Sequence, residues 1–524
     1  MPIRIVKDDE NERDDEQPDY NESDAGGGGN TGGGGGLGSM LGFLPIIFGL
    51  FGKSPKLLIG IVIIGGLLYF GKSCVGSALS SDNSDLPGRG ATLDKKEYDK
   101  AEIFEPLDPS KTPLPSETSL LRYAPTRGDQ GQQGSCVGWG SAYAARTILE
   151  SAATGKDPNS IAFSPSFLYN QISLTGCQGA YINNAMEVMT KRGSLPLSQF
   201  PYSDQGCDNK PDGSQIQEAG SYRMRGYNRL SEDGREIKND ISAIKQNLAA
   251  GAPVVIGMNV TQSFTQEMMG QDLWRPTQED YSGSNSLGGH CMCLIGYDDN
   301  KAGGAFQVMN SWSPRWGKNG VAWITYRDFQ RFNQEAYGVY PLPKTEDQAN
   351  EAFAAQIALV NVATKQYIPL NVSSGNLFKT GSPIAKGTKF KIEFKNSEEC
   401  YTYVFGQETN ATSYVLFPYT PKHSPFCGIT GYRIFPRRES LQADNEGNKD
   451  FFAVIVSKTA LDFNKFNDMV SKSGQATYQG KINEALSSMA IKNVQFAAQN
   501  GAISFQSATK DNQAVAMIIE VDKQ

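Results

Sequence analysis

Cys136 and His290 lie far apart in the chain, and each opens a stretch with its own pattern. The run Asp129-Gln130-Gly131-Gln132-Gln133-Gly134-Ser135-Cys136-Val137-Gly138-Trp139 leads into small residues, whose spacing predicts a helix over 135–150. Gly288-Gly289-His290 leads into Cys291-Met292-Cys293-Leu294-Ile295-Gly296-Tyr297, which reads as a strand, and Met309-Asn310-Ser311-Trp312 follows. The chain holds only two histidines, so one placed inside such a pattern is hard to treat as background. A thiol, an imidazole and a side-chain amide are the parts of a nucleophile, its base and the base's orienter.

The chemistry follows from the positions. A cysteine at the start of a helix meets unpaired N–H groups and the positive end of the dipole, which favour thiolate over thiol. Two glycines before His290 leave its ring room to face a cleft. Asn310, at the end of the next strand, can accept the ring N–H and fix its orientation. Gln130 lies upstream of Cys136, and its amide can join the Cys136 N–H in an oxyanion hole. A lone Gly-Ser-Cys is more often structural than catalytic, because free cysteine is among the most buried residue types. Four matching roles outweigh that reading. Cys291 and Cys293 alternate along one strand as core residues do. No further ligands cluster near them, so neither a metal nor a cofactor is expected.

Outside this region the composition changes several times. A chain of 524 residues is long for one domain, and its formal charge of -7 argues against a nucleic-acid surface. Residues 1–40, acidic and then polyglycine, read as disordered. Residues 41–75 are apolar, interrupted by Lys53-Ser54-Pro55-Lys56. A membrane span over about 57–75 is expected, flanked by Lys56 and Lys72; a cleaved signal and a buried hairpin are the alternatives. Lysines on the N-terminal flank put the rest of the chain in the periplasm or exterior. Gly66 to Ser73 spells a phosphate-loop pattern inside this apolar stretch and is read as chance. Residues 76–117 form a proline-punctuated linker, 118–343 a globular domain, 344–354 a charged connector, and 355–524 a strand-dominated accessory domain. The alternation of the last region suggests sheets with one wet face.

The motifs resemble those of papain-like cysteine peptidases. Gln130-x-x-x-Gly134-Ser135-Cys136 is similar to the family's nucleophile motif, and Gly289-His290 to its histidine strand. Asn310-Ser311-Trp312 with Trp316-Gly317-Lys318-Asn319-Gly320 resembles its asparagine motif. Gly176-Cys177-Gln178-Gly179-Ala180-Tyr181 is similar to its substrate-backbone stretch, and Phe200-Pro201-Tyr202 to a Tyr-Pro-Tyr that follows. The resemblance implies an α+β, two-lobe fold with a helical half and a β-barrel-like half, the site lying between them. A β-sandwich-like C-terminal domain would follow. By it Cys136 is the nucleophile, His290 the acid/base, Asn310 the orienter, Gln130 the oxyanion donor and Trp312 a shield over the His290–Asn310 contact. Gly179, Ala180 and Tyr181 would bind substrate.

Departures exist. Val137 replaces the usual aromatic residue, and Ala180 the second glycine of the substrate stretch. Gln133 stands where a bridging cysteine is expected, which leaves Cys177 and Cys207 to pair with each other. The family's long inhibitory propeptide has no counterpart in 76–116. In the accessory domain, Tyr401 to Phe405, Val415 to Pro418 and Ile434 to Pro436 resemble a β-rich bacterial domain of unknown function, for which a protein or surface partner is expected. Cys400 and Cys427 flank two of its strands and read as a bridge if the compartment oxidises. Together with the apolar segment, the resemblance leads to the expectation of a membrane-anchored bacterial cysteine endopeptidase acting on polypeptides through a thioacyl intermediate. The alternatives are a catalytically silent binding module and amide or peptide transfer by the same site.

Overall fold

The structure is a computed structural model that describes residues 1–8, 86–232, 234, 238–343, 352–507 and 513–524. The expected membrane segment at 41–75, most of the expected disordered segment and most of the connector lie outside the described residues. Among the described residues, no helix is long and apolar enough to cross a membrane.

Residues 118–343 form two halves, as the resemblance implied. The helical half is built on one long helix that starts at Cys136–Gly138, widens into π turns over Trp139–Arg146 and returns to α geometry over Thr147–Thr154. Its first dozen residues are all buried, and all but Trp139, Tyr143 and Arg146 are small, so helices Pro165–Ile172 and Ile182–Lys191 can pack close against it. Gly138 shows how close, since a Cβ there would lie 2.5 Å from the Pro165 carbonyl oxygen. Gly155 ends the helix in the left-handed conformation that glycine adopts without steric cost.

The other half is an antiparallel sheet in the order Tyr227–Arg229, Asn333–Val339, Val254–Thr261, Ser286–Asp298, Ala305–Met309, Val321–Thr325, with Glu117–Ser119 added beside Ser286–Asp298. The strand Ser286–Asp298 is buried from His290 through Tyr297, and Cys291 and Cys293 are fully buried within it. His290 is set opposite Met258 by the register. The thiol of Cys291 approaches the helix at Gly140, where an added Cβ would meet it at 2.9 Å.

The C-terminal region is a two-sheet sandwich whose inner faces share one apolar core that includes Ile357, Phe394, Phe452 and Val454. One wet face, as the alternation suggested, describes only part of it. The strand Lys449–Ser457 sends Phe452, Val454 and Val456 into the sandwich. Its Ala453 and Ile455 face outward into a second core beneath the helices Phe463–Lys472 and Tyr478–Leu486. Those helices carry Phe466, Val470 and Ile482 onto the sheet and so bury its outer face. The structure also corrects the reading of 1–40 at its start. Ile3–Lys7 is an edge strand paired antiparallel to Glu439–Ala443, with Ile3 in the sandwich core and bonded both ways to the Tyr414 hydroxyl. Three apolar residues in a row of five were enough to complete the sheet, although the acidic run beyond them concealed the signal.

Candidate active site

The helix start and the central strand bring Cys136, His290 and Asn310 together, all fully or almost fully buried. His290 Nε2 is bonded to the Asn310 side-chain oxygen at 2.7 Å, and the Trp312 ring stacks on the imidazole at 4.1 Å between centroids. Trp312 is braced in turn by Phe264 and Trp316. The ring is therefore held from its edge and its face. The Cys136 sulfur accepts the Cys291 backbone N–H at 3.4 Å, while His290 Nδ1 has no hydrogen-bond partner.

Gln130 is also buried, with its side-chain oxygen accepting from the Ser311 hydroxyl at 2.7 Å and its amide nitrogen donating to the Gln133 carbonyl at 2.8 Å. Ser311 donates its own N–H to the Asn310 side chain at 2.7 Å, so one serine links the oxyanion donor to the orienter. Sequence reasoning missed this serine; its place between Asn310 and Trp312 is the signal that was there to read. Tyr202 braces the nucleophile loop, donating to the Gln130 carbonyl at 2.8 Å and contacting the Ser135 hydroxyl at 2.8 Å. The Cys177–Cys207 disulfide is formed and steadies the stretch that carries Gly179 and Ala180. Tyr181 follows that stretch at the N-cap position of Ile182–Lys191, without a side-chain capping bond. Cys400 and Cys427, by contrast, are free thiols, although strand register sets them opposite each other. Each sulfur is hydrogen-bonded to the Thr402 hydroxyl, at 3.9 Å for Cys400 and 3.6 Å for Cys427. No group of three or more metal-ligating side chains occurs among the described residues.

The finding that the sequence did not foreshadow is what covers the thiol. Residues 87–93 cross the cleft as an extended strap. Gly88 donates to the Gly131 carbonyl at 2.9 Å and accepts from the Trp312 ring nitrogen at 3.0 Å. Ala180 donates to the Gly90 carbonyl at 2.8 Å and accepts from Thr92 at 3.0 Å, so its whole backbone edge is taken. Ala91 donates to the Gly289 carbonyl at 3.2 Å. Leu93 lies close over Gly257 and Gly289, where an added Cβ would meet it at 2.5 and 2.8 Å, and Glu335 accepts the N–H of Asp94 at 3.2 Å. Glycines on both sides permit this approach. A Cβ on Gly90 would meet the Gly134 carbonyl oxygen at 2.0 Å, and one on Gly179 the Gly90 oxygen at 2.2 Å. The linker read over 76–117 is thus an ordered part of the site from residue 87 onward.

The cover decides the charge state. Burial pushes the Cys136 thiol up to about 11, against the pull of backbone amides from Cys291, Gly90, Val137 and Ala91. Burial takes the His290 imidazole down to about 3, with the Asn310 bond favouring the charged ring and the nearby Arg89 guanidinium opposing it. A neutral thiol beside a neutral imidazole is what this state holds. The thiolate expected at the helix start is outweighed here by desolvation, because the strap excludes the water that would solvate it.

Thiol, imidazole and amide in this arrangement define the class of cysteine-nucleophile sites, with a donor-rich loop before the thiol and an aromatic shield over the amide. Residues 123–342 match the family model described as papain family cysteine protease. An uncharacterized peptidase C1-like protein of Acanthamoeba polyphaga mimivirus is 30% identical over 209 residues, which is 38% of this chain and 64% of that protein. The chain therefore spans just under two thirds of that relative's length. A cathepsin B-like protein of Giardia intestinalis is 28% identical over 227 residues, 40% of this chain and 67% of that protein. Among solved structures, xylellain, a cysteine protease from Xylella fastidiosa, is matched at a TM-score of 0.41 and 23% identity, over 50% of this chain and 97% of that one. The family match and the geometry together support cysteine peptidase chemistry in this domain.

Proposed function

We propose that the domain over 118–343 hydrolyses peptide bonds in polypeptide substrates. The observation that carries this reading is the buried His290, bonded to Asn310 and stacked on Trp312, on the strand whose next residue, Cys291, donates its N–H to the Cys136 sulfur. With the cleft open, His290 takes the Cys136 proton and the thiolate attacks the scissile carbonyl. Gln130 and the Cys136 N–H would receive the oxyanion. The imidazolium returns its proton to the departing amine, leaving a thioacyl group on Cys136. Water, deprotonated by His290, then releases the acid and restores the thiol. Asn310 acts through His290 as a positioning residue. Gly179 and Ala180 offer the backbone edge on which a substrate would lie once the strap leaves it.

The test is labelling by an epoxide or vinyl sulfone peptide probe together with cleavage of an unfolded protein. Both should depend on Cys136 and vanish in Cys136→Ala. An open-cleft variant that stays folded yet cleaves nothing would overturn the reading.

We also propose attachment to a membrane through residues 41–75, with the domains in the periplasm or exterior. Support for attachment comes from the sequence alone. Ile3–Lys7 pairs within the same sandwich as residues 352–524, which supports attachment from one side over a single crossing. A single crossing between them would part these strands, and attachment from one side would not. A protein or surface partner for the C-terminal domain remains part of this proposal.

A further inference from the structure

The strap does not end at the cleft. Beyond Leu93 it forms the short helix Lys95–Tyr98, capped by the Asp94 side chain and pinned where the Tyr98 hydroxyl donates to the Ala336 carbonyl at 3.0 Å. Asp99 pairs with the buried Arg229 at 2.5 Å. From Ile103 onward the chain lies between the two domains and bonds to each in turn. Ile103 donates to the Lys422 carbonyl at 2.6 Å and accepts from Ser424 at 3.0 Å, whereas Phe104 donates to the Arg229 carbonyl at 3.1 Å. Arg433 donates to the Glu105 carbonyl at 3.2 Å, whereas Leu107 exchanges two bonds with the Gln246 side chain. Asp108 donates to the Tyr432 carbonyl at 2.7 Å, Tyr432 donates to the Thr112 hydroxyl at 3.1 Å, and Lys111 pairs with the buried Glu393.

We infer that the C-terminal β domain is the latch of the active site, holding residues 103–112 so that residues 87–93 stay across Cys136. The physical basis is chain continuity. Nine residues separate Leu93 from Ile103, where contact with the β domain begins, and four of them form the capped helical turn Lys95–Tyr98. That stretch is not a free loop, because Tyr98 and Asp99 anchor it on Ala336 and Arg229, so Leu93 and Ile103 belong to one continuous held segment. The cleft end is held by backbone hydrogen bonds, which exchange with water on release, and by the apolar contact of Leu93. The β domain adds to the anchors on Ala336, Arg229 and Gln246, and it contributes an ion pair whose carboxylate is desolvated. Whatever draws 103–112 off the β domain shifts the balance toward the open cleft. The latch concerns access to Cys136. The cleavage it would permit rests on the peptidase reading proposed above.

The experiment uses the full chain and iodoacetamide as the probe, with the alkylation rate of each cysteine read by peptide mass spectrometry. Lys111→Glu sets two like charges together on the β-domain side, and Thr112→Val removes the acceptor of the Tyr432 N–H. Lys100→Ala, at an exposed position between strap and latch that pairs with Glu97, is the control. Both latch variants should alkylate Cys136 about tenfold faster than wild type, which corresponds to ~1.4 kcal/mol taken from the closed state. The control should match wild type. Cys291, Cys293, Cys400 and Cys427 are free and buried, so their continued protection shows that the fold is intact. Wild-type rates at Cys136 in either protected variant would overturn the latch. Should Lys111→Glu expose the other thiols, the milder Thr112→Val decides alone. Faster alkylation with no cleavage of an unfolded protein would leave the latch standing and sink the peptidase reading.

Discussion

Gly90→Ala puts the role of the strap to the sharpest test. The added Cβ would lie 2.0 Å from the Gly134 carbonyl oxygen and 2.5 Å from its carbon. Both are backbone atoms of the loop that carries the nucleophile, so no side chain can swing aside to make room. Overpacking of a tight contact costs about 1–3 kcal/mol. That penalty falls only on the closed arrangement, because a strap lifted from the cleft has space for a methyl group. The open fraction should rise roughly 5- to 150-fold, by the conversion of about 1.4 kcal/mol per tenfold. Alkylation of Cys136 by iodoacetamide should accelerate by the same factor, with the other free thiols still protected. The pH dependence should change too. In the closed state burial holds the thiol up near 11 and the imidazole down near 3. Water entering the cleft removes the desolvation that causes both shifts, so the reactive form should persist to lower pH in the variant. A folded Gly90→Ala protein that alkylates at the wild-type rate would show that the strap is not what shelters the thiol.

Other outcomes follow from the same structure. Cys177 and Cys207 close a loop with a sequence separation of 30, and the chain-entropy model gives roughly 3–4 kcal/mol for such a loop. The double Cys→Ser variant should therefore melt well below wild type in a thermal scan, and an unchanged melting temperature would refute the estimate. Burial pushes the Glu105 carboxyl up to about 8 from its ordinary 4.5, with Arg437 and Arg433 opposing and Cys427 and Asp240 reinforcing the rise. Its contribution to stability is intact below 4.5. It falls as the pH rises towards 8, where the folded state at last gives up the proton, so Glu105→Gln should flatten this part of the stability profile measured by urea unfolding. Arg4 and Gln442 are cross-strand neighbours bonded at 3.2 Å, so Arg4→Cys with Gln442→Cys should form an intramolecular disulfide in the membrane-associated protein. Failure to cross-link there, with an N-terminal tag cleaved on the opposite side, would restore the single crossing.

Much of the site was legible because nucleophilic catalysis restricts side-chain identity. Cys136, His290, Asn310, Gln130 and Trp312 could be named from residue type and local pattern, and each stands in the cleft. The pairing of Cys177 with Cys207 followed from the loss of their usual mates. The helices at 463–486 were not legible, since an alternating strand reads alike whether its outer face meets water or a helix. The first strand was obscured by the acidic run behind it.

The strap marks the boundary most clearly. By itself the sequence determined which groups could do chemistry, because a thiol, an imidazole and an amide are identities rather than arrangements. It also determined that a helix and a strand would present them. The tertiary structure alone decided their state. Pro87 to Leu93 carries no apolar period that marks it as part of a site, and its hold comes from backbone hydrogen bonds to Gly131, Ala180 and Gly289. Such bonds depend on which chain segments meet and hardly at all on side-chain identity. Desolvation likewise depends on what lies overhead, so the neutral Cys136–His290 pair belongs to the fold and not to the motif.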